Sequence, residues 1–368
     1  MAPLLRMVVL IALLVTSLGY ATPTAAAGRA RLDVFVDTDI GVDDAVAIAY
    51  LLKNRAANVI GFTTVAGNTT AENAANNLLT LLDVMQVSKP VTIGATAPLE
   101  VPASRTGQFV HGPTGLWFSQ VPHDLSGLSR DAPAAIAAAA QANPGMTLLA
   151  LGPLTNVALT VQQYPNALNG VKIVALAGAL GPGNSSPVAE FNAFFDPHAL
   201  DIVLESGLDV TLVTMDAFTD VTFDSQKFLQ KLTKKGGALG QFLAQPLGAY
   251  ISAQTQGAGG MVSIPDVAAV AYVLEPTVGT AQTALVDVST EPELTRGQTV
   301  MAMTVPHRLA MIAGDAQLSL LADQVFTVPG FDMNQAIALI LAQRPDNAQV
   351  VLEIRGKTVA TLVEKALT

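Results

Sequence analysis

The chain has 368 residues, 51% of them hydrophobic and 13% charged, a balance that favours a large buried core and excludes a disordered chain. The formal net charge is −10, and the longest basic run is Lys234-Lys235, which excludes the clustered cations of a nucleic-acid surface. The chain has no cysteine, so disulfides, thiolate metal sites and a lipid-modified N-terminal cysteine are excluded as well.

The first 27 residues have the pattern of an export signal. Arg6 is the sole charge before residue 28, Met7 to Leu18 form an apolar run, and Thr24-Ala25-Ala26-Ala27 offers a small-residue cleavage site. The run is shorter than the roughly 20 residues that span a bilayer, which weighs against an uncleaved anchor. The expectation is a signal over 1–27, a mature domain over 28–368, a secreted or periplasmic location, and no membrane attachment after cleavage.

Strand and helix patterns then alternate. A strand is predicted over Leu32 to Val36, a helix over about Asp43 to Leu52, and a strand over Val59 to Val65. Ala71 to Met85 is predicted helical, with Leu78, Leu79, Leu82 and Met85 on one face, followed by a strand over Val91 to Ile93. Residues 96–131 are predicted as loop. Beyond them come a helix over Ala132 to Ala142, strands over Thr147 to Leu151 and Val171 to Leu176, and a Gly-rich loop to Pro197. A helix over Pro197 to Ser206, a strand over Val210 to Met215, Gly-interrupted helix over 225–258, β structure within 280–304 and a helix over Met333 to Ala342 complete the pattern. No internal repeat or linker interrupts it. The reading is one α/β domain, with a Rossmann-like, mainly parallel sheet flanked by helices.

The densest chemistry follows the first strand, in Asp37-Thr38-Asp39-Ile40-Gly41-Val42-Asp43-Asp44. Open α/β sheets bind ligands at the carboxyl ends of their strands. Four crowded carboxylates repel one another unless a cation compensates, and an oxygen-only set suits Ca²⁺ or Mg²⁺ better than zinc. A plainer role is also open: Asp43 and Asp44 would favour the positive end of a helix dipole, which accounts for two of the four.

This acidic motif resembles the signature of the inosine–uridine preferring nucleoside hydrolases. Further segments resemble that family in the same order: Thr64-Val65-Ala66-Gly67-Asn68; His111-Gly112 with Gly115-Leu116; Leu151-Gly152-Pro153-Leu154-Thr155-Asn156; Gly183-Asn184 with Ala189-Glu190-Phe191-Asn192 and Asp196-Pro197; and Thr295-Arg296-Gly297-Gln298-Thr299. Each short match is weak alone, and the ordered series is specific.

The resemblance implies Ca²⁺-dependent cleavage of the N-glycosidic bond of a ribonucleoside. It implies metal ligation by Asp39, Asp44, the Leu151 carbonyl and Asp266, with Asp39 doubling as general base. Asp43, Asn68 and Asn192 would hold the ribose 2′- and 3′-hydroxyls, and Asn184 and Glu190 the 5′-hydroxyl. Asp37 is expected behind these residues, orienting the loop. It also implies a possible homo-oligomer, with a small ribonucleoside as the only other partner. Asn156 is expected to cap a turn, Asp196 to cap a helix, Asp216 to be structural, and His123, His198 and His307 to lie at the surface. Trp117 and Tyr250 are candidates to contact a base.

One departure matters. The family usually has His before its last Asp ligand, and Pro265-Asp266 stands here. Proline cannot protonate a departing base, so His111 is the remaining candidate acid. The same departure motivates an alternative, an exported riboside-binding protein with a degenerate, non-catalytic site. A phosphohydrolase using Asp37 as nucleophile and Asp39 as acid would need Thr or Val where Gly41 stands, and lacks a downstream Lys motif.

Overall fold

The computed structural model describes residues 31–368 apart from 106, 292 and several positions between 314 and 331. The expected signal over 1–27 lies outside the described residues. Among these, no helix is long and apolar enough to cross a membrane.

β1 (Leu32–Thr38) carries Val34, Phe35 and Val36, all buried, as a central strand covered on both faces requires. It pairs in parallel with β2 (Ala57–Thr64) on one side and β4 (Thr147–Ala150) on the other. β3 (Val91–Ile93) extends the β2 side in parallel. β5 (Lys172–Leu176), β6 (Asp209–Val213) and β11 (Ala348–Ile354) extend the β4 side, also in parallel. β9 (Gly279–Val288) and β10 (Thr299–Ala302) close that edge antiparallel. The order is β10-β9-β11-β6-β5-β4-β1-β2-β3, while β7 (Thr222–Asp224) and β8 (Met261–Ser263) form a separate antiparallel pair.

Chain direction across the sheet reverses between β1 and β4. That is the switch point at which a crevice opens beyond the strand ends. Helices Val42–Lys53, Gly237–Thr255, Asp266–Leu274 and Gly356–Leu367 pack one face around Val46, Leu51, Leu247, Val270 and Val363. Helices Ala132–Ala142, Thr155–Gln163 and Pro197–Glu205 cover the other around Ile136, Val157 and Leu200. Leu32–Thr368 form one compact unit.

Most predicted elements are present within a residue or two. The loop expected over 96–131 contains a four-residue helix, Gln108–His111, and the Gly-rich loop to Pro197 contains a five-residue one, Phe191–Phe195. Helices Thr155–Gln163, Asp266–Leu274 and Gly356–Leu367 and strand β11 were not anticipated. Asp266–Leu274 is buried from Asp266 to Val273, so it has no polar face to give a helical period.

Candidate active site

The turn after β1 lays its carboxylates over the switch point. Asp44, at the third position of helix Val42–Lys53, folds back on its own N-terminus. Its Oδ2 accepts from the Gly41 N–H at 2.9 Å and from Asn68 Nδ2 at 3.1 Å, and its Oδ1 accepts from Thr38 Oγ1 at 2.5 Å. Asp39 Oδ2 accepts from the Asn68 N–H at 2.7 Å. A Cβ on Gly67 would lie 2.1 Å from that Asp39 oxygen, so only glycine lets β2's exit approach so closely. Asn68 thus serves the acidic turn, and the next helix is capped instead by Thr70.

Asp266 opens helix Asp266–Leu274, and its Oδ1 has no hydrogen-bond partner among the described residues. Oxygens of Asp43, Asp44 and Asp266 lie within 4.8 Å of one another, all buried, in an arrangement that could hold a metal ion. The trio includes Asp43, expected on the sugar, in place of Asp39, which adjoins it. Burial raises the Asp39 and Asp266 carboxyls well above the ordinary range, and neighbouring carboxylates add to the rise. Burial, with the Asp43 charge, raises Asp44 to about 7.

Behind this layer Asp37 is wholly buried. Its Oδ1 accepts from Thr63 Oγ1 and Asn156 Nδ2, both at 2.7 Å, and burial lifts its carboxyl to about 6. Asn156 was expected to cap a turn. Instead it is a buried strut, also donating to the Thr64 carbonyl at 3.0 Å and accepting from the Ala95 N–H at 2.8 Å. Its fully buried amide needs all these partners, a demand that an exposed turn would not impose.

The opposite wall comes from the ends of β4 and β5. Asn192 Nδ2 donates to the carbonyls of Leu151 and Leu176, each at 2.8 Å, tying the two strand ends together. Glu190 caps helix Phe191–Phe195, with Oε1 accepting from the Asn192 N–H at 3.0 Å. Its Oε2 accepts from the N–H groups of Ala193 at 3.1 Å and Gly178 at 3.0 Å. Burial outweighs these donors and raises its carboxyl to about 7. Asn184 sits exposed at the rim.

His111 is 6% exposed. Its Nδ1 accepts from the Val42 N–H at 3.1 Å, so the neutral ring carries its proton on Nε2. Burial lowers its pKa, with partial opposition from Asp43, whose Oδ1 is 3.5 Å away. Tyr250 packs at 5.5 Å from the imidazole, its hydroxyl 3.3 Å from Asp43 Oδ2 and 3.1 Å from the Ser263 carbonyl. Trp117 does not join the cavity lining. Its indole N–H donates to the Val110 carbonyl at 2.9 Å, bracing the His111 turn from outside.

A cavity of about 310 Å³ is lined by Asp43, Asn68, His111, Leu151, Asn184, Glu190, Asn192 and Asp266, eight of the ten residues singled out for the site. Asp39 and Asp44 lie buried beneath it. Met215, Phe218, Thr219, Tyr250, Gln254 and Pro265 also line it. A larger hollow of about 470 Å³, beside Asp209 and Ala348 at the other ends of β6 and β11, contains none of these residues.

Elsewhere Asp196 caps helix Pro197–Glu205 through Ala199 N–H. Asp216 accepts from the N–H groups of Leu180 and Gly181, a structural role. His307 is exposed, whereas His123 and His198 are half-buried, paired with Asp83 and Glu100. Thr38, Thr63, Tyr250's bond to Asp43 and the strut role of Asn156 were not assigned from sequence. Thr38 and Asn156 stood inside the quoted motifs, whereas nothing local marked Thr63.

The family model for inosine-uridine preferring nucleoside hydrolases matches residues 34–360. This chain belongs to that hydrolase family. It is 36% identical over 319 residues to the non-specific ribonucleoside hydrolase RihC of Salmonella enteritidis, covering 86% of this chain and 99% of the relative. Among solved structures it resembles the plant nucleoside hydrolase PpNRh1, with a TM-score of 0.74 and 26% identity, covering 92% of this chain and 99% of the other. The purine-preferring ribonucleoside hydrolase of Gardnerella vaginalis shares the fold, at a TM-score of 0.73 and 24% identity over 91% and 98% of the two chains. The mainly parallel sheet flanked by helices is thus that of a nucleoside hydrolase.

Proposed function

We propose that this nucleoside hydrolase splits ribonucleosides into free base and ribose, and that it does so with Ca²⁺ held beside the β1 turn. The observation that carries the metal is the buried Asp43, Asp44 and Asp266 trio with its orphaned Asp266 oxygen. So much negative charge out of water calls for a hard cation with oxygen ligands. Asp39, Asp44, Asp266 and the Leu151 carbonyl would hold it, with Asp43 at hand. When bound, the cation supplies positive charge that polarises water and sugar oxygens.

The chain's own groups do the rest. Asp43, Asn68 and Asn192 hold the ribose 2′- and 3′-hydroxyls, while Glu190 and Asn184 hold the 5′-hydroxyl. Asp39 takes a proton from the attacking water as its oxygen bonds to C1′. The C1′–N bond breaks through an oxocarbenium-like state, which the surrounding carboxylates stabilise. The departing base receives a proton. His111, which lines the cavity with its Nδ1 engaged by Val42, would supply it from Nε2–H, because Pro265 has no proton to offer.

Free-ribose assays on inosine, uridine, adenosine and cytidine with calcium present test the reaction, and no release from any of them would rule it out. His111→Asn should slow inosine cleavage about 10²-fold. Hydrolysis of p-nitrophenyl riboside, whose leaving group needs no acid, should change little. Equal losses on both substrates would remove His111 from the acid role.

Pro265 favours a second reading, a nucleoside-binding protein without turnover. Calorimetry showing tight nucleoside binding with no ribose release would support it. An exported location follows from residues 1–27, and mass analysis of the mature N-terminus tests it.

A further inference from the structure

The wall that carries Glu190 and Asn192 is gripped from behind by a segment with no part in the reaction above. It is Thr295 to Thr299, entering β10. Arg296 is buried, 7% exposed. Its Nε donates to the Phe194 carbonyl at 2.7 Å, and its Nη2 to the carbonyls of Phe195 and Pro102, both at 3.0 Å. The guanidinium also lies 4.5 Å from the Phe194 ring centroid. These contacts cap the C-terminal end of helix Phe191–Phe195 and tie it to residue 102. A helix of five residues has little stability of its own, and its last carbonyls need outside donors.

The neighbouring residues tighten the grip. Gly297 has φ +72°, and a Cβ there would lie 2.5 Å from Phe194 Cα, so the turn presses directly on the helix. Thr299 Oγ1 donates to the Ala179 carbonyl at 2.7 Å and accepts its N–H at 2.9 Å. Ala179 adjoins Gly178, whose N–H holds Glu190 Oε2. The segment therefore fixes both flanks of Glu190.

We propose that Arg296, supported by Gly297 and Thr299, is a positioning residue that holds Glu190 and Asn192 in place and so sets the requirement for a 5′-hydroxyl. The specificity half of this rests on the sugar assignments made above. The positioning half stands on geometry alone.

Arg296→Met keeps an apolar stem and removes the donors. In the full-length protein, amide hydrogen exchange over 190–196 should quicken about 10-fold or more. Exchange over Val42–Lys53 should stay within about twofold, and calcium affinity should fall far less than KM rises, since Asn192 reaches the calcium site only through the Leu151 carbonyl. KM for ribonucleosides should rise about 10- to 100-fold, more than kcat falls. Discrimination between a ribonucleoside and its 5′-deoxy analogue should shrink towards unity, and millimolar guanidinium should restore part of it. Unchanged exchange over 190–196, or intact 5′-discrimination in an active variant, would overturn the proposal. So would calcium affinity falling in step with KM.

If Arg296→Met does not fold, Thr299→Val removes the second grip and should show the same pattern at smaller size; unchanged exchange there would count equally against it. Exchange needs no turnover. A wild-type protein that released no ribose would refute hydrolysis and leave the clamp to be judged by exchange.

Discussion

The acidic turn after β1 and the arm around Glu190 both bury carboxylates, but they satisfy them differently. Glu190 is one carboxylate wrapped by three backbone N–H donors, on a short helix whose other end is held by Arg296. The turn and Asp266 crowd carboxylates together, with one Asp266 oxygen left without a partner. Hydrogen bonds can satisfy the oxygens of one buried carboxyl, whereas several carboxylates with oxygens within 4.8 Å of one another call for a counter-charge. The first region should therefore depend on a cation and the second should not.

The sharpest attempt to break this contrast is Asp44→Ala. It removes a carboxylate that also organises Thr38, Gly41 and Asn68, and ribose release should fall about 10³-fold or more. A loss of only a few-fold would mean that the acidic turn is not the reaction centre.

Chelation probes the same difference through stability. Asp37 and Asp44 have folded values of about 6 and about 7 against an ordinary 3.8, so the folded, metal-free chain binds their protons more tightly than the unfolded one. That stabilisation is complete below the ordinary value and is lost as pH rises through the raised ones. With chelator present, the melting temperature should fall between about pH 4 and pH 7. Calcium should restore it most at the upper end, where the carboxylates are free to ionise. A flat profile in chelator would contradict the burial account.

A subtler change is Asn156→Ala, which leaves Asp37 short of a donor and the Ala95 N–H without its acceptor. Calcium affinity should drop about 10-fold, and denaturant melts should show a loss of about 1–3 kcal/mol. Unaltered affinity would show that Asp37 does not steady the turn.

The smallest effect should come from Glu190→Gln. Glu190's carboxyl is raised from 4.5 to about 7, so its share of stability is present at low pH and disappears as pH rises through about 7. The variant should lack that part of the slope in thermal melts with chelator present, while binding calcium as the wild type does.

Sequence revealed these regions unequally. The acidic turn was legible because its chemistry is local: Asp37 to Asp44 lie within eight residues at the end of a short apolar strand. Glu190 and Asn192 were legible as motif members, but the helix they sit on was not, because five residues carry no period. Arg296 stood in a quoted motif without a role, since its partners lie about a hundred residues away in Phe194 and Phe195. Asn156, at the start of helix Thr155–Gln163, and Thr63, on β2, converge on Asp37 from separate elements, and no spacing within the chain announces that meeting. Helix Asp266–Leu274 is apolar nearly all round, so its pattern could not be told from that of a buried strand.

The central claim is that a hard dication neutralises the buried aspartates. Calorimetric titration of Ca²⁺ into chelator-treated protein, in the wild type and in Asp266→Asn, tests it most directly. One ion per chain in the wild type, with binding weakened much more in Asp266→Asn than in Arg296→Met, is the predicted result. No binding to the wild type, or equal binding to Asp266→Asn, would contradict it.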